Sequence, residues 1–460
     1  MIHCFENNGY YIILDVHSGA VHVVDKLAYE IARRLKAPME EDCPAALAAE
    51  LGGEYGEEAV RETYGELYGL FADGLLFSAD DYEQFADRMV SSPLKAMCLN
   101  VSHDCNLRCK YCFAGQGIYG GKPQVMSLEV AKAAIDFLVE RSVGRRNLEV
   151  DFFGGEPLMN FEVVKETVRY ARSLEGKHGK VFRFTTTTNG VLLNDDIAAF
   201  LNAEMNNVVL SLDGRPEVND AMRPNAGGKG SYAAIVPKYQ RFIEERRKTG
   251  KDYYVRGTFT KENLDFTEDV LHMESLGFDQ VSVEPVVSDP SLSFSIREED
   301  LPRVFEEYDR LARVILEKKR QGKGFNFFHF MLDLDQGPCA IKRLRGCGCG
   351  NEYAAVDPDG DVYPCHQFVG HPEWKMGSVL TGDYDLEQKA RFAKATVYNK
   401  ESCRSCWAKF YCSGGCNANN QQYEGDILKA HTLSCELEKK RLECALMIKA
   451  ALSGADFDEK

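Results

Sequence analysis

A chain of 460 residues is too long for one small core and calls for two or three domains, and a hydrophobic content of 44% lets each have a real interior. The formal charge of −16 and the pI near 5.2 argue against nucleic-acid binding, and no polybasic patch marks a membrane surface. Met1-Ile2-His3-Cys4-Phe5-Glu6 lacks the basic start and apolar core of a secretory signal, and no apolar run spans a bilayer, so a cytoplasmic location is expected, where sixteen cysteines point to metal rather than disulfides.

Cys4, Cys43, Cys98 and Cys444 stand apart from the clusters and read as ordinary buried or half-buried residues, which leaves twelve ligand candidates. Residues 1–90 form the first module. Tyr10-Tyr-Ile-Ile-Leu14 and Ala20-Val-His-Val-Val24 flank a Ser18-Gly19 turn and predict a hairpin. Helical spacing of Leu27, Ala28, Ile31, Ala32 and Leu35 predicts a helix over 26–35 with Asp25 as its N-cap, and further helices follow around 43–51 and 57–71. A short apolar run, Leu75-Leu76-Phe77, closes the module. This layout resembles the winged-helix peptide-recognition element of enzymes that modify ribosomally made peptides. The resemblance implies that a leader peptide adds as an extra strand at the sheet edge. A structural cap or dimerisation domain is the plainer alternative.

Residues 91–325 alternate strands and helices. Strands are expected over 96–101, 148–153, 181–187, 207–212, 253–259 and 280–286. The helices between and after them are expected over 125–141, 161–174, 195–203, 232–245, 267–276 and 302–319, with Ser127 capping the first. Six strand–helix units predict an α/β domain with a parallel sheet, right-handed crossovers and chemistry in the loops after the strands.

The first such loop carries Cys105-x3-Cys109-x2-Cys112-Phe113. Three thiolates leave one iron of a four-iron cluster without a protein ligand, although a zinc knot lacking its fourth ligand or three buried thiols are also compatible with the triplet alone. The spacing resembles that of the radical S-adenosylmethionine superfamily, whose partial (β/α)6 barrel matches the six units. The resemblance implies a [4Fe–4S] cluster on Cys105, Cys109 and Cys112 that binds and reductively cleaves S-adenosyl-L-methionine. Gly154-Gly155-Glu156-Pro157 after the second strand matches the motif that binds the cofactor's amino group in that family. Asn189, Ser211 and Asp213, at the ends of the third and fourth strands, are implied near its carboxylate or ribose. Arg223 is implied as a carboxylate clamp.

Residues 326–460 hold nine of the twelve candidate ligands. Cys347, then Gly360-x4-Cys365, then Cys403-x2-Cys406-x5-Cys412-x3-Cys416 and Cys435 resemble the SPASM extension pattern, C-x(9–15)-G-x4-C followed by C-x2-C-x5-C-x3-C and C. The resemblance implies two auxiliary [4Fe–4S] clusters, one on Cys403, Cys406, Cys412 and Cys435 and a nearer one involving Cys347, Cys365 and Cys416. Cys339 and Cys349 are then surplus, or one of them completes the near cluster. Paired zinc ribbons are the competing reading. Asp357-Pro-Asp-Gly360 and Tyr363-Pro-Cys365-His366 predict a hairpin presenting Cys365, and apolar spacing over 433–452 predicts a closing helix.

The three modules in this order resemble maturases that install thioether bridges in Cys-rich precursors, the SCIFF or ranthipeptide type. The resemblance implies a precursor peptide with a leader as substrate, three [4Fe–4S] clusters, and a flavodoxin- or ferredoxin-type electron donor. The same layout leaves open a maturase that makes formylglycine or a carbon–carbon crosslink. A non-enzymatic iron–sulfur or zinc scaffold is the alternative from a different class.

Overall fold

The computed structural model describes residues 1–86, 92–334 and 340–454. No described helix is long and apolar enough to cross a membrane.

The first module is a three-stranded antiparallel sheet in the order β1 (Ile2–Asn7), β2 (Tyr10–Asp15), β3 (Val21–Val24). The expected hairpin is present, and β1 extends it. Asn8 and Gly9 between β1 and β2 both have positive φ, 51° and 85°, the backbone of a tight hairpin turn. Three helices, Lys26–Ala32, Ala45–Tyr55 and Glu57–Ala72, cover one face of the sheet around Ile13, Ile31, Leu51, Tyr64 and Leu67. The Asp25 carboxylate caps the first of them, accepting the Ala28 N–H at 2.8 Å. The apolar run Leu75–Phe77 is a bend, and only Leu76 of the three is fully buried.

The chain continues through β4 (Ala96–His103), β5 (Gln124–Val125), β6 (Asn147–Gly154), β7 (Val181–Thr188), β8 (Asn207–Ser211), β9 (Asp252–Phe259) and β10 (Gln280–Pro285). β4 and β6 to β10 are the six expected strands, each parallel to its neighbour in that order. Their alternation sorts the side chains between the two faces of the sheet. Leu148, Val150, Phe152, Phe182 and Phe184 point outward into the helix layer, whereas Glu149, Asp151, Arg183 and Thr185 line the concave face. Burying each of those phenylalanines contributes about 1.5–3 kcal/mol. Val125 lies not in the first helix but in β5, which pairs antiparallel with β4; the helix itself is Leu128–Arg141, started by the Ser127 hydroxyl.

The sheet does not stop at residue 325. β11 (Asn326–Phe327) pairs parallel with β10, and on the other side β12 (Tyr353–Val356) pairs parallel with β4. β13 (Asp361–Tyr363) and β14 (Gly377–Ser378) follow antiparallel, completing eleven strands. The C-terminal module is therefore grown onto the barrel sheet. The boundary expected at residue 90 and the candidate ligand Cys339 both lie outside the described residues.

The first module is docked on both sides. Asn7 Nδ2 donates to Asp309 Oδ1 at 2.6 Å, and Lys440 of the closing helix Thr432–Leu452 reaches the same oxygen at 2.6 Å. The His3 ring stacks on Trp407 with centroids 3.9 Å apart. Asp80 accepts from Lys409 Nζ at 2.8 Å and from the Tyr398 hydroxyl at 2.5 Å. Lys409 is only 3% exposed. Asp80→Asn should therefore leave a buried ammonium without its anion and cost about 2–4 kcal/mol. A lowered urea midpoint that Asp80→Leu with Lys409→Met largely restores is the expected result. An unchanged midpoint in the single variant rejects the pair as a clamp.

Candidate active site

β4 leaves the sheet as Ser102-His103-Asp104-Cys105, and the end of β6 comes against it with no room for side chains. A Cβ on Gly154 would stand 2.3 Å from the Ser102 carbonyl oxygen, and one on Gly155 would stand 2.1 Å from that of Asp104. The gap is closed by hydrogen bonds. Gly155 N–H donates to Ser102 O at 2.7 Å and Glu156 N–H to Asp104 O at 2.9 Å. Gly117 of the loop after Cys112 fits the same space, its hydrogen facing Cys105 Cβ and Gly155 Cα where a methyl would be 2.9 Å from each.

Glu156, 1% exposed, turns its carboxylate inward. It accepts the Thr188 hydroxyl at 2.7 Å, the Asn189 N–H at 2.8 Å and the Leu158 N–H at 3.1 Å. Burial pushes its pKa up, and these donors oppose the rise. The side chain thus clasps the ends of β6 and β7 together. Asn189 in turn donates from Nδ2 to Asn106 Oδ1 at 2.7 Å and lies 3.6 Å from Cys105 Sγ.

Asp213, fully buried at the end of β8, accepts the Tyr111 hydroxyl at 2.7 and 2.9 Å and the Thr258 N–H at 3.1 Å. Arg223 Nη1 donates to the same hydroxyl at 2.7 Å and lies 3.8 Å from Asp213. Tyr111 is inside Cys109-Lys110-Tyr111-Cys112, so this triad braces the cysteine loop to the fourth barrel strand. Arg223 is buried, and its Nε has no partner among the described residues. Ser211 is half-buried and paired in register with Arg256.

The concave mouth between the cysteine loop and the C-terminal module is polar. Arg256 pairs with Glu284, and although burial favours the protonated acid, Arg256 foremost holds Glu284 down to about 2. Arg441 of the closing helix donates to His329 Nδ1 at 2.8 Å, which makes that nitrogen the acceptor and leaves Nε2–H for Ser282 Oγ at 3.1 Å. Burial and Arg441 lower His329 to about 3, consistent with this neutral tautomer. His366, next to Cys365, packs between Phe113 and Phe153 with ring centroids 5.5 and 4.9 Å away. Its Nδ1 is buried without a described partner.

The C-terminal cysteines fall into two sets. Cys412 senses Cys435 and Cys403, and Cys435 senses Cys403 and Cys406. Cys416 senses Cys365 and Cys347 instead. Between Cys412 and Cys416, Ser413, Gly414 and Gly415 all have positive φ, 61°, 89° and 70°, and this reversal turns the two cysteines toward different sets. Buried Lys400 lies between the sets, its Nζ donating to Gly414 O at 2.6 Å and Asn417 Oδ1 at 2.8 Å. The hairpin β12–β13 presents Cys365 as expected.

Among the described residues no three Cys, His, Asp or Glu side chains gather tightly enough for a single ion. The thiols instead gather in sets that sense one another, and Cys105, Cys109 and Cys112 form a third. Burial lifts Cys105 and Cys416 to about 12 and Cys412 and Cys435 to about 11. Such thiols become thiolates only when metal cations compensate them, a donor chemistry that fits iron–sulfur clusters. The carboxylates of Glu156 and Asp213 are engaged by the protein's own donors and tie the loops together. Tyr111, His329 and Arg441 had no motif to reveal them. Tyr111→Phe strips Asp213 of a donor and Arg223 of an acceptor, a loss of about 1–3 kcal/mol in the loop. Chelator should then bleach the reconstituted cluster on this loop about tenfold faster, and Gly155→Ala should abolish its loading; a wild-type bleaching rate in Tyr111→Phe rejects the brace.

Residues 99–271 match the radical SAM superfamily, and residues 347–407 match the SPASM iron-sulfur cluster-binding domain. Mycofactocin maturase MftC of Mycolicibacterium smegmatis is 29% identical over 344 residues, covering 73% of this chain and 81% of the relative. Native anSMEcpe with bound AdoMet superposes with a TM-score of 0.64 at 21% identity, over 78% of this chain and all (100%) of that one. Streptococcus suis SuiB bound to precursor peptide SuiA gives a TM-score of 0.52 at 16% identity over 94% and 98% of the two chains. The two structural likenesses show the fold. With the two matched domains, the chain is an enzyme of the radical SAM superfamily that carries a C-terminal iron–sulfur cluster-binding domain.

Proposed function

We propose that this enzyme installs thioether crosslinks, Cys sulfur to carbon, in a ribosomally made Cys-rich precursor peptide. Cys105, Cys109 and Cys112 hold one [4Fe–4S] cluster, Cys403, Cys406, Cys412 and Cys435 a second, and Cys347, Cys365 and Cys416 take part in a third. S-adenosyl-L-methionine lies against the backbone of Gly154, Gly155 and Pro157, near Asn189 and Ser211, with the unpartnered Arg223 Nε toward its carboxylate. Once bound, the cofactor and clusters supply a 5′-deoxyadenosyl radical for hydrogen abstraction and an acceptor for the electron released as carbon–sulfur bonding proceeds.

The observation that carries the reading is the proximity of the Cys365 segment to the Cys105 loop, with His366 held between Phe113 and Phe153. An electron acceptor there adjoins the mouth where a peptide carbon is attacked. The first module supports a peptide substrate. β3 is the outer strand of its sheet, and beside it a groove of about 1000 Å³ is lined by Val21, Val23, Phe330, Met331, Ile448 and Leu452. An extended leader adding to β3 would lay its side chains into this groove. A flavodoxin- or ferredoxin-type protein supplies electrons, and the enzyme works in the cytoplasm.

Likeness to a cysteine-type anaerobic sulfatase-maturating enzyme of Clostridium novyi, 25% identical over 70% of this chain and 87% of the relative, favours a second reading, formylglycine formation. Product chemistry separates the two. Anaerobic turnover of a Cys-rich precursor should remove about two mass units per bridge and leave the bridged thiols resistant to alkylation. Fully alkylatable thiols beside 5′-deoxyadenosine production would reject thioether formation. Val23→Glu should raise the Kd for the leader at least about tenfold, a cost of 1.4 kcal/mol; an unaltered Kd in fluorescence titration removes β3 as the docking edge.

A further inference from the structure

Cys349 is set apart from the other unassigned cysteines by what surrounds it. Cys444 is buried away from other thiols, beside Asp309 and Asn7, and Cys98, although in the same packed cluster as Cys365, senses only Cys365 of the near set. Cys349 is brought to Cys365 by the backbone. Gly350 N–H is shared between Tyr353 O at 3.0 Å and Pro364 O at 2.9 Å, which pins the residue after Cys349 against the residue before Cys365. Gly348 and Gly350, with φ of 77° and 69°, turn the chain on either side of Cys349. A Cβ on Gly350 would stand 2.3 Å from the Phe392 ring, so the turn is held from outside as well. Cys349 and Cys365 are both buried in one packed cluster, and Cys416 lies against it. The Cys349 thiol lies close enough to Cys365, Cys347 and Cys416, the three other cysteines of the near set, to interact electrostatically with each. Along the sequence, ten residues separate Cys349 from Gly360, inside the same spacing window as Cys347.

We propose that Cys349 is the fourth thiolate of the near auxiliary cluster, with Cys347, Cys365 and Cys416, so that this cluster has no iron open to a substrate thiol. The proposal rests on the reading of the near set as an iron–sulfur site. Its consequence is that a precursor cysteine meets the radical carbon as a thiol held by the protein rather than as an iron ligand.

The test uses the full chain with Cys105, Cys109 and Cys112 replaced by Ala, which removes the one cluster with an open iron. After anaerobic reconstitution this parent should hold about eight irons; fewer, with the near cluster missing, overturns both the cluster reading and the proposal. The parent is reduced and exposed to carbon-13 cyanide, and electron–nuclear double resonance reads cyanide bound to iron. No carbon-13 coupling is expected in the parent, and adding Cys349→Ala should produce one. Coupling in the parent overturns the proposal, as does coupling opened by Cys339→Ala but not by Cys349→Ala. Should Cys349→Ala fail to hold the near cluster, Cys349→Ser should shift the Mössbauer signature of a single iron site; four unchanged sites would overturn the assignment. These spectra are indifferent to the product formed, so a failure of thioether chemistry does not alter what they say about Cys349.

Discussion

Ser102 to Asp104 at the end of β4 and Gly154 to Glu156 at the end of β6 lie in backbone contact, and the site depends on that contact. Two hydrogen bonds join the segments, and two glycines permit the approach. The loop that carries Cys105 is thereby referred to the sheet rather than to its own flexible length. Glu156 extends the same bracing to β7, where a buried carboxylate is tolerable because three donors converge on it. Tyr111 does the equivalent for β8 by joining Asp213 and Arg223. Three consecutive strand ends are thus tied to one cysteine loop, which gives the triplet a rigid seat.

The closing helix Thr432–Leu452 plays a second organising part. Cys435 lies in its first turns beside the far cysteine set, Arg441 reaches His329 in the barrel mouth, and Glu443 accepts from His3 of β1 at 2.9 Å. One rigid element therefore touches the far set, the mouth and the first module. Lys409 and Trp407, between Cys406 and Cys412, contact the same module from the other side. The first module is consequently held at a set position relative to the cysteine sets. Lys400 contributes a buried cation between the two C-terminal sets, where it offsets the negative charge that thiolates bring.

The strands, their parallel order and most helices were legible in the sequence, because hydrophobic alternation, helical periodicity and caps such as Asp25 and Ser127 are local signals. The cysteine triplet, the seven-cysteine pattern and the Cys365 hairpin were legible for the same reason, since ligand spacing is written along the chain. β1 was missed although Asn8-Gly9, a strong hairpin dipeptide, announces it. Other features have no local signature. That β12 joins the barrel beside β4, that Glu156 and Asp213 turn inward to brace loops, and that Arg441 meets His329 across 112 residues follow from how the helix layer and the sheet pack. Residue type and spacing by themselves determined which chemistry this chain can host. Only the tertiary structure decided which side chains face the reaction and which hold it in place, because a carboxylate's partners are set by packing between distant segments and not by its neighbours in sequence.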